Sequence, residues 1–104
     1  MKIVKVIYTV KPEFVEQNKS NIKNVMNDLQ QSNNTNINYN SCLGADGKTF
    51  THTAFFKSDE DQKILNELAS FKHFQEQLKA AGFEVPPKQE SLTLVGSSVD
   101  IFSK

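Results

Sequence analysis

Residues 37–56 have the sequence INYNSCLGADGKTFTHTAFF, which decides the fold because it fixes how two strands pair. Asp46-Gly47 between alternating residues predicts a β-hairpin, since a type I′ turn needs positive φ at both central positions. With Ala45 opposite Lys48, the predicted pairs are Leu43–Phe50, Ser41–His52, Tyr39–Ala54 and Ile37–Phe56. One face of the hairpin is therefore apolar and carries one histidine, whereas the other face is rich in Asn and Thr.

The composition indicates a single small domain over residues 1–104, with 12 basic and 12 acidic side chains. This balance offers no basic surface to a phosphate backbone, so we expect no nucleic-acid partner. Cys42 is the only cysteine, which excludes an intrachain disulfide and indicates a reducing compartment. No apolar run has the length of a membrane span or a secretory signal. We therefore expect a cytoplasmic protein without a membrane partner.

The rest of the chain predicts the element order β-α-β-β-α-β. Residues 2–10 are rich in β-branched side chains, and residues 12–29 carry an apolar stripe interrupted by Asn18. A second helical stripe begins after Ser58, a plausible N-cap, and ends at Gly82, with a break and a further N-cap at 69–70. Pro86-Pro87 predicts a turn, residues 92–95 predict the start of the last strand, and Gly96 predicts a bulge within it.

Short connections and right-handed crossovers predict an antiparallel sheet in the order 4-1-3-2, with both helices on one face. This is a ferredoxin-like α+β fold. The helices would cover the apolar face of the hairpin. The Asn/Thr face, together with Ile3, Ile7 and Phe55, would have no cover from this chain, so we predict a homodimer joined sheet to sheet.

Several segments in this order and spacing carry a family resemblance: VIYTVKP at 6–12, INY at 37–39, DGKTF at 46–50, FKSDE at 56–60 and LASFKHF at 68–74. Together they resemble the antibiotic-biosynthesis-monooxygenase-like family over nearly the whole chain. The resemblance implies a dimeric α/β barrel with a ligand cavity between the sheet and the helices of each protomer. It also implies either cofactor-free oxygenation of quinols or aromatic polyketides, or haem degradation in one branch.

His52 is the candidate catalytic residue, because the hairpin register puts it on the face that the helices cover. Tyr39 lies diagonal to it and Tyr8 is expected on the adjoining strand. In this setting a histidine that titrates near neutrality could take a proton from a phenolic substrate or donate a hydrogen bond to it. The predicted substrate-binding residues are Tyr39, Tyr8, Ser41, Phe50 and Phe56.

Two readings of the function stay open. The first is a cofactor-independent monooxygenase-like enzyme with a small aromatic or quinol-type substrate, without a metal or other cofactor. The second is a non-catalytic barrel that binds a small apolar ligand. The absence of tryptophan favours the second reading, as does Ala54, which stands where the family often carries an acidic residue. His73 is either a helix-surface residue or, by the haem-binding resemblance, an axial ligand, and Cys42 is either inert or a reactive thiol.

Overall fold

The hairpin forms with the predicted register in the computed structural model, which describes residues 1–102. The strand pairs include Leu43–Phe50, Ser41–His52, Tyr39–Ala54 and Ile37–Phe56, so this prediction is confirmed. The elements are β1 (Lys2–Val10), α1 (Val15–Gln31), β2 (Ile37–Leu43), β3 (Thr49–Phe56), α2 (Asp59–Glu67), α3 (Ala69–Ala81) and β4 (Phe83–Leu92). A 3₁₀ turn over Pro12–Phe14 leads into α1.

The four strands form one antiparallel sheet in the order β2-β3-β1-β4, which is the predicted order read from the other edge. The ferredoxin-like α+β fold is therefore confirmed. Burial alternates strictly along β3, because one side of this central strand faces the helices. The core lies between that face and residues of all three helices, among them Val25 of α1, Leu65 of α2 and Phe74 of α3.

The turn between β2 and β3 differs in detail from the predicted type I′ turn. Gly47 has a φ of 77°, but Asp46 has no positive φ. Asp46 instead accepts hydrogen bonds from the backbone N–H groups of Lys48 and Thr49 through its carboxylate. The Gly47 N–H closes the turn onto the Gly44 carbonyl, so a longer loop with glycine at its left-handed position preserves the same register.

The last strand is not where the sequence predicted it. β4 begins at Phe83, directly after Gly82, and runs through Pro86-Pro87, so the turn predicted at these two residues is wrong. The prolines fit because β4 is an edge strand and its register against β1 shifts twice near them. Residues 93–95 and Gly96 lie beyond Leu92, which pairs with Ile3 near the start of β1, so no partner strand remains for them.

The second helical stripe breaks as expected, but the break falls at Leu68 and not at 69–70. Leu68 has an extended backbone and packs against the core, so α3 starts at the next residue and Ser70 lies in its first turn. Ser58 precedes α2 as predicted, where its N–H donates to the Asp61 carboxylate. No helix within residues 1–102 has the length and apolar character needed to cross a membrane.

The face opposite the helices, called the back face here, is partly covered by the chain itself, contrary to our expectation. Leu92, Ile3, Phe55 and Asn38 form one row across the sheet. The Asn38 side chain donates a hydrogen bond to the carbonyl of Ile101, so the C-terminal segment passes from the β4 edge to the β2 edge at this end. Ile3 is accordingly buried, whereas Ile7 and Phe55 are half-buried.

Candidate active site

A chain of hydrogen bonds runs through the buried interior and has His52 at its centre. The His52 Nε2 atom lies 2.7 Å from the Tyr8 hydroxyl, and its Nδ1 atom lies 2.7 Å from the Tyr39 hydroxyl. The Asn18 Nδ2 group donates to the Tyr8 oxygen at 2.9 Å. Both nitrogens of the imidazole are therefore engaged by tyrosines. The four residues are called the polar chain below.

The sheet positions three of these four side chains. His52 lies on β3 between β1 and β2, where it pairs with Val6 on one side and Ser41 on the other. Tyr8 and Tyr39 are each two residues away from these partners, so both are diagonal neighbours of His52 on the same face. The rings support this arrangement, since the Tyr8 and His52 ring centroids are 5.3 Å apart and nearly parallel.

Asn18 completes the polar chain from α1. It interrupts the apolar stripe of the helix, is fully buried and lies directly over Tyr8. Its Oδ1 atom has no hydrogen-bond partner within residues 1–102. A buried asparagine in a helix costs free energy unless it is paired. The hydrogen bond to Tyr8 therefore offsets part of the free-energy cost of burying Asn18.

Burial sets the protonation states of the polar chain. It lowers the pKa of His52 to about 4, so the imidazole is neutral at physiological pH. It also raises the pKa of Tyr8 and of Tyr39 well above the usual value, and for Tyr39 the nearby Tyr8 adds to the effect. Both phenols consequently keep their protons.

The polar chain faces a cavity of about 380 Å³ between the sheet, α3 and β4. Its wall is mainly apolar and aromatic, with Phe71, Phe74 and Leu78 from α3 and Phe83 from β4. A smaller space of about 140 Å³ towards α2 shares Val6, Tyr39 and His52 with it. A mostly apolar cavity with a few convergent polar groups is typical of small-molecule sites.

The rim of the cavity is polar and carries no carboxylate. Gln75 and Lys79 of α3 and Gln89 of β4 line the larger space and are exposed. Lys79 is the one charged residue among those that line it. The rim of the larger space is therefore positively charged. Within residues 1–102, no three His, Cys, Asp or Glu side chains come together in a way that would hold a metal ion.

The structure brings together some of the predicted site residues and separates others. His52, Tyr8 and Tyr39 meet in the cavity, and Phe56 lines the smaller space towards α2. Phe50 does not line either space and stacks behind Tyr8 with a centroid distance of 5.7 Å. Ser41 pairs with His52 across the strands but lines a separate open groove at the edge of β2. The roles of these residues stay predictions.

The two remaining candidates lie outside the cavity. His73 is exposed on α3, one residue before the buried Phe74, which agrees with a surface histidine. Cys42 is exposed on β2 and belongs to the back face.

Sequence reasoning did not identify Asn18, Gln75 and Gln89 as site residues. For Asn18 a signal was present, since it was the one polar residue within an apolar stripe. Gln89 could not have been found, because the predicted last strand began at residue 92. Gln75 gave no signal, since a glutamine beside an apolar stripe is common on helix surfaces.

Comparison with known proteins gives structural matches only. Neither family sequence models nor curated proteins match the chain. A candidate antibiotic biosynthesis monooxygenase from Nitrosomonas europaea superposes with a TM-score of 0.75 at 15% identity, covering 92% of this chain and all of that one. Another, from Bacteroides thetaiotaomicron, superposes with a TM-score of 0.80 at 10% identity, covering 95% of this chain and 93% of that one.

A third, from Caulobacter crescentus, gives a TM-score of 0.75 at 13% identity, covering 91% of this chain and 90% of the other. At such low identity the likeness concerns the fold. These matches, made over nearly the full length of each chain, confirm the resemblance predicted from the sequence at that level. This chain has the fold of the structures named as antibiotic biosynthesis monooxygenases.

Proposed function

We propose that the chain is a cofactor-independent, monooxygenase-like protein that takes a small aromatic or quinol-type substrate into the cavity beside His52. The observation that carries the proposal is the polar chain, which ends with the Tyr39 hydroxyl at a mainly apolar wall. Aromatic side chains line the space from two elements, Phe71 and Phe74 from α3 and Phe83 from β4. Such walls suit the flat apolar body of an aromatic ligand.

In this proposal Tyr39 contacts the substrate and His52 positions Tyr39. Tyr39 is half-buried and lines both parts of the cavity, whereas both ring nitrogens of His52 are already occupied. The lowered pKa of His52 makes it a weak base, because the charged imidazolium would be buried without a carboxylate partner. The hydrogen-bonding role of His52 is therefore better supported than the role of general base.

The chemistry that this arrangement supports begins with an electron-rich substrate anion. A fixed hydroxyl donor in a mainly apolar cavity stabilises a phenolate or enolate oxygen more strongly than water does at that position. Such an anion reacts with O₂ at carbon. One oxygen atom enters the substrate, and the second leaves as water together with two hydrogens of the substrate. Lys79 at the rim favours the entry of an anion over that of a cation.

Oxygen consumption tests the proposal. The purified protein would be mixed with a panel of hydroxylated naphthalenes and anthracenes in a chamber with an oxygen electrode, and the products identified by mass spectrometry. We expect turnover of at least one compound, with one added oxygen atom, and a loss of about tenfold or more in Tyr39→Phe. Asn40→Ala is the control on the same strand, since Asn40 is the neighbour of Tyr39 but lies on the back face, away from the cavity.

A second candidate function is the binding of a small apolar ligand without chemistry. The neutral, fully engaged imidazole favours it, because no side chain of the polar chain is poised to accept a proton from a ligand. This candidate would be supported if a panel compound bound to the protein while oxygen consumption stayed at the rate measured in buffer alone. The same result would contradict the enzyme proposal.

We also propose a homodimer through the back face and a cytoplasmic location. Ile7 and Phe55 are half-buried on that face, and Val85 and Leu92 are exposed on β4 beside them. A second copy of the sheet would cover these apolar side chains. Because the C-terminal segment already buries Ile3, the proposed centre of the interface shifts towards Ile7.

A further inference from the structure

We propose that Asn18 sets the direction of the polar chain, so that the Tyr39 hydroxyl always presents its hydrogen to the cavity and the site selects ligands that carry a hydrogen-bond acceptor. The inference deepens the function proposed above and rests on the same cavity. It makes Asn18 a positioning residue for ligand specificity, although Asn18 does not line the cavity.

The direction follows from counting donors and acceptors along the polar chain. Asn18 donates an N–H to the Tyr8 oxygen, which leaves the Tyr8 hydroxyl free to donate its own hydrogen. The acceptor within reach is His52 Nε2, at 2.7 Å. A neutral imidazole has one acceptor and one donor nitrogen, so Nδ1 then carries the hydrogen. That hydrogen is donated to the Tyr39 oxygen, also at 2.7 Å.

The opposite direction leaves the hydroxyl hydrogen of the buried Tyr8 without an acceptor. If His52 carried its hydrogen on Nε2, the Tyr8 oxygen would accept from both His52 and Asn18. The Tyr8 hydroxyl hydrogen would then have no acceptor, although Tyr8 is 2% exposed. In the proposed direction the leftover hydrogen belongs to Tyr39, which is half-buried and lines both parts of the cavity.

The ligand that this arrangement fits has an apolar aromatic body and one acceptor oxygen, either a carbonyl or a deprotonated phenol. Burial keeps Tyr39 protonated, so its hydroxyl remains a donor over the physiological range. The rim supports the same choice, because it contributes Lys79 and two glutamines but no carboxylate. A ligand whose only polar group is a hydrogen-bond donor could not pair with the hydroxyl hydrogen of Tyr39.

The first test reads the tautomer of His52 without any ligand. Nitrogen-15 NMR of the imidazoles distinguishes a protonated from an unprotonated ring nitrogen, and His73→Gln identifies the signals of the second histidine. We expect the hydrogen of His52 on Nδ1. Asn18→Asp offers an acceptor to Tyr8 once ionised and should move the hydrogen to Nε2. Asn21→Asp is the control, since Asn21 is buried on the same helix but contacts Gln17.

The second test compares two ligands of the same shape, 9-fluorenone and fluorene, by isothermal titration. The ketone can accept from Tyr39 and the hydrocarbon cannot, so we expect the ketone to bind about fivefold more tightly. In Tyr39→Phe the two affinities should become equal. The wild-type tautomer and the Tyr39→Phe titration remain informative even where Asn18→Asp fails to fold.

Two results would overturn the inference alone, and a third would contradict the cavity on which it rests. Hydrogen on Nε2 in the wild-type protein would overturn the inference, because the polar chain would run in the opposite direction. Equal affinity for the ketone and the hydrocarbon would also overturn it, while the cavity would stand as an aromatic site. Failure of both compounds to bind would contradict the proposed cavity itself, and the inference would fall with it.

Discussion

At the scale of single residues, the buried neutral imidazole of His52 has a consequence for stability. Its pKa falls from 6.5 in the unfolded chain to about 4 in the folded one. Between these values the unfolded state binds a proton that the folded state does not, so stability falls as the pH falls from 6.5 towards 4. The size of this effect is about 3 kcal/mol in the free energy of unfolding, from about 1.4 kcal/mol for each unit of pKa.

The corresponding variant is His52→Gln, which removes the titrating group. We expect urea unfolding of the wild type to lose stability steeply below pH 6.5, and the variant to show a flatter profile over the same window. His73→Gln removes the other histidine, which is exposed, and should follow the wild-type curve. Parallel profiles for the wild type and His52→Gln would contradict the buried neutral state of His52.

Much of the candidate site was predictable at this scale because successive side chains of a strand point to opposite faces of the sheet. Once Asp46-Gly47 fixed the register, His52 and Tyr39 had to share a face, and the adjoining strand brought Tyr8 beside them. Asn18 was not predictable as a partner, since helical periodicity says which face a residue occupies but not which side chain it meets. Ser41 shows the limit of register as well, because it pairs with His52 yet lines another groove.

At the scale of elements, the start of α2 depends on one buried carboxylate. Asp61 is 5% exposed and accepts hydrogen bonds from both the N–H and the Oγ–H of Ser58, at 3.1 and 2.8 Å. These bonds hold the chain where β3 leads into the helix, and the carboxylate also lies at the positive end of the helix dipole. The start of α2 should therefore depend on Asp61 more than on the other acidic residues of its first turn.

Asp61→Ala should lower the free energy of unfolding by about 1–2 kcal/mol, measured by urea denaturation. Asp59→Ala is the control in the same helical turn. Asp59 is exposed, and its Oδ1 atom lies 3.9 Å from the Lys2 Nζ atom. Its removal should therefore lower the free energy of unfolding by less than about 0.5 kcal/mol. Equal losses in the two variants would show that the hydrogen bonds to Ser58 contribute nothing beyond the charge.

The elements themselves were predictable to different degrees. α1 and the hairpin followed from strong periodicity and a turn signal. β4 did not, because its two prolines break a pattern that an edge strand with register shifts tolerates. Its apolar side chains are also sparse, with Val85 and Leu92 exposed, so the strand carries little periodic signal of its own.

At the scale of the whole molecule, the back face predicts a dimer. Ile7 lies near the centre of the proposed interface, so Ile7→Asp should give a monomer where the wild type is a dimer, as measured by light scattering at micromolar concentration. Ile64→Asp makes the same change on α2, where Ile64 is exposed, and should leave the dimer intact. A monomeric wild-type protein at that concentration would contradict the proposed interface.

The central claim is that the cavity around His52 is the ligand site of this molecule. Two-dimensional NMR of the labelled protein during titration with 9-fluorenone tests it most directly. We expect shifted amide signals for Tyr39 and His52 on the sheet and for residues 71–79 of α3, with saturation at one equivalent per chain. Shifts confined to the groove beside β2, around Met26 and Ile37, or to the back face around Ile7 would contradict it.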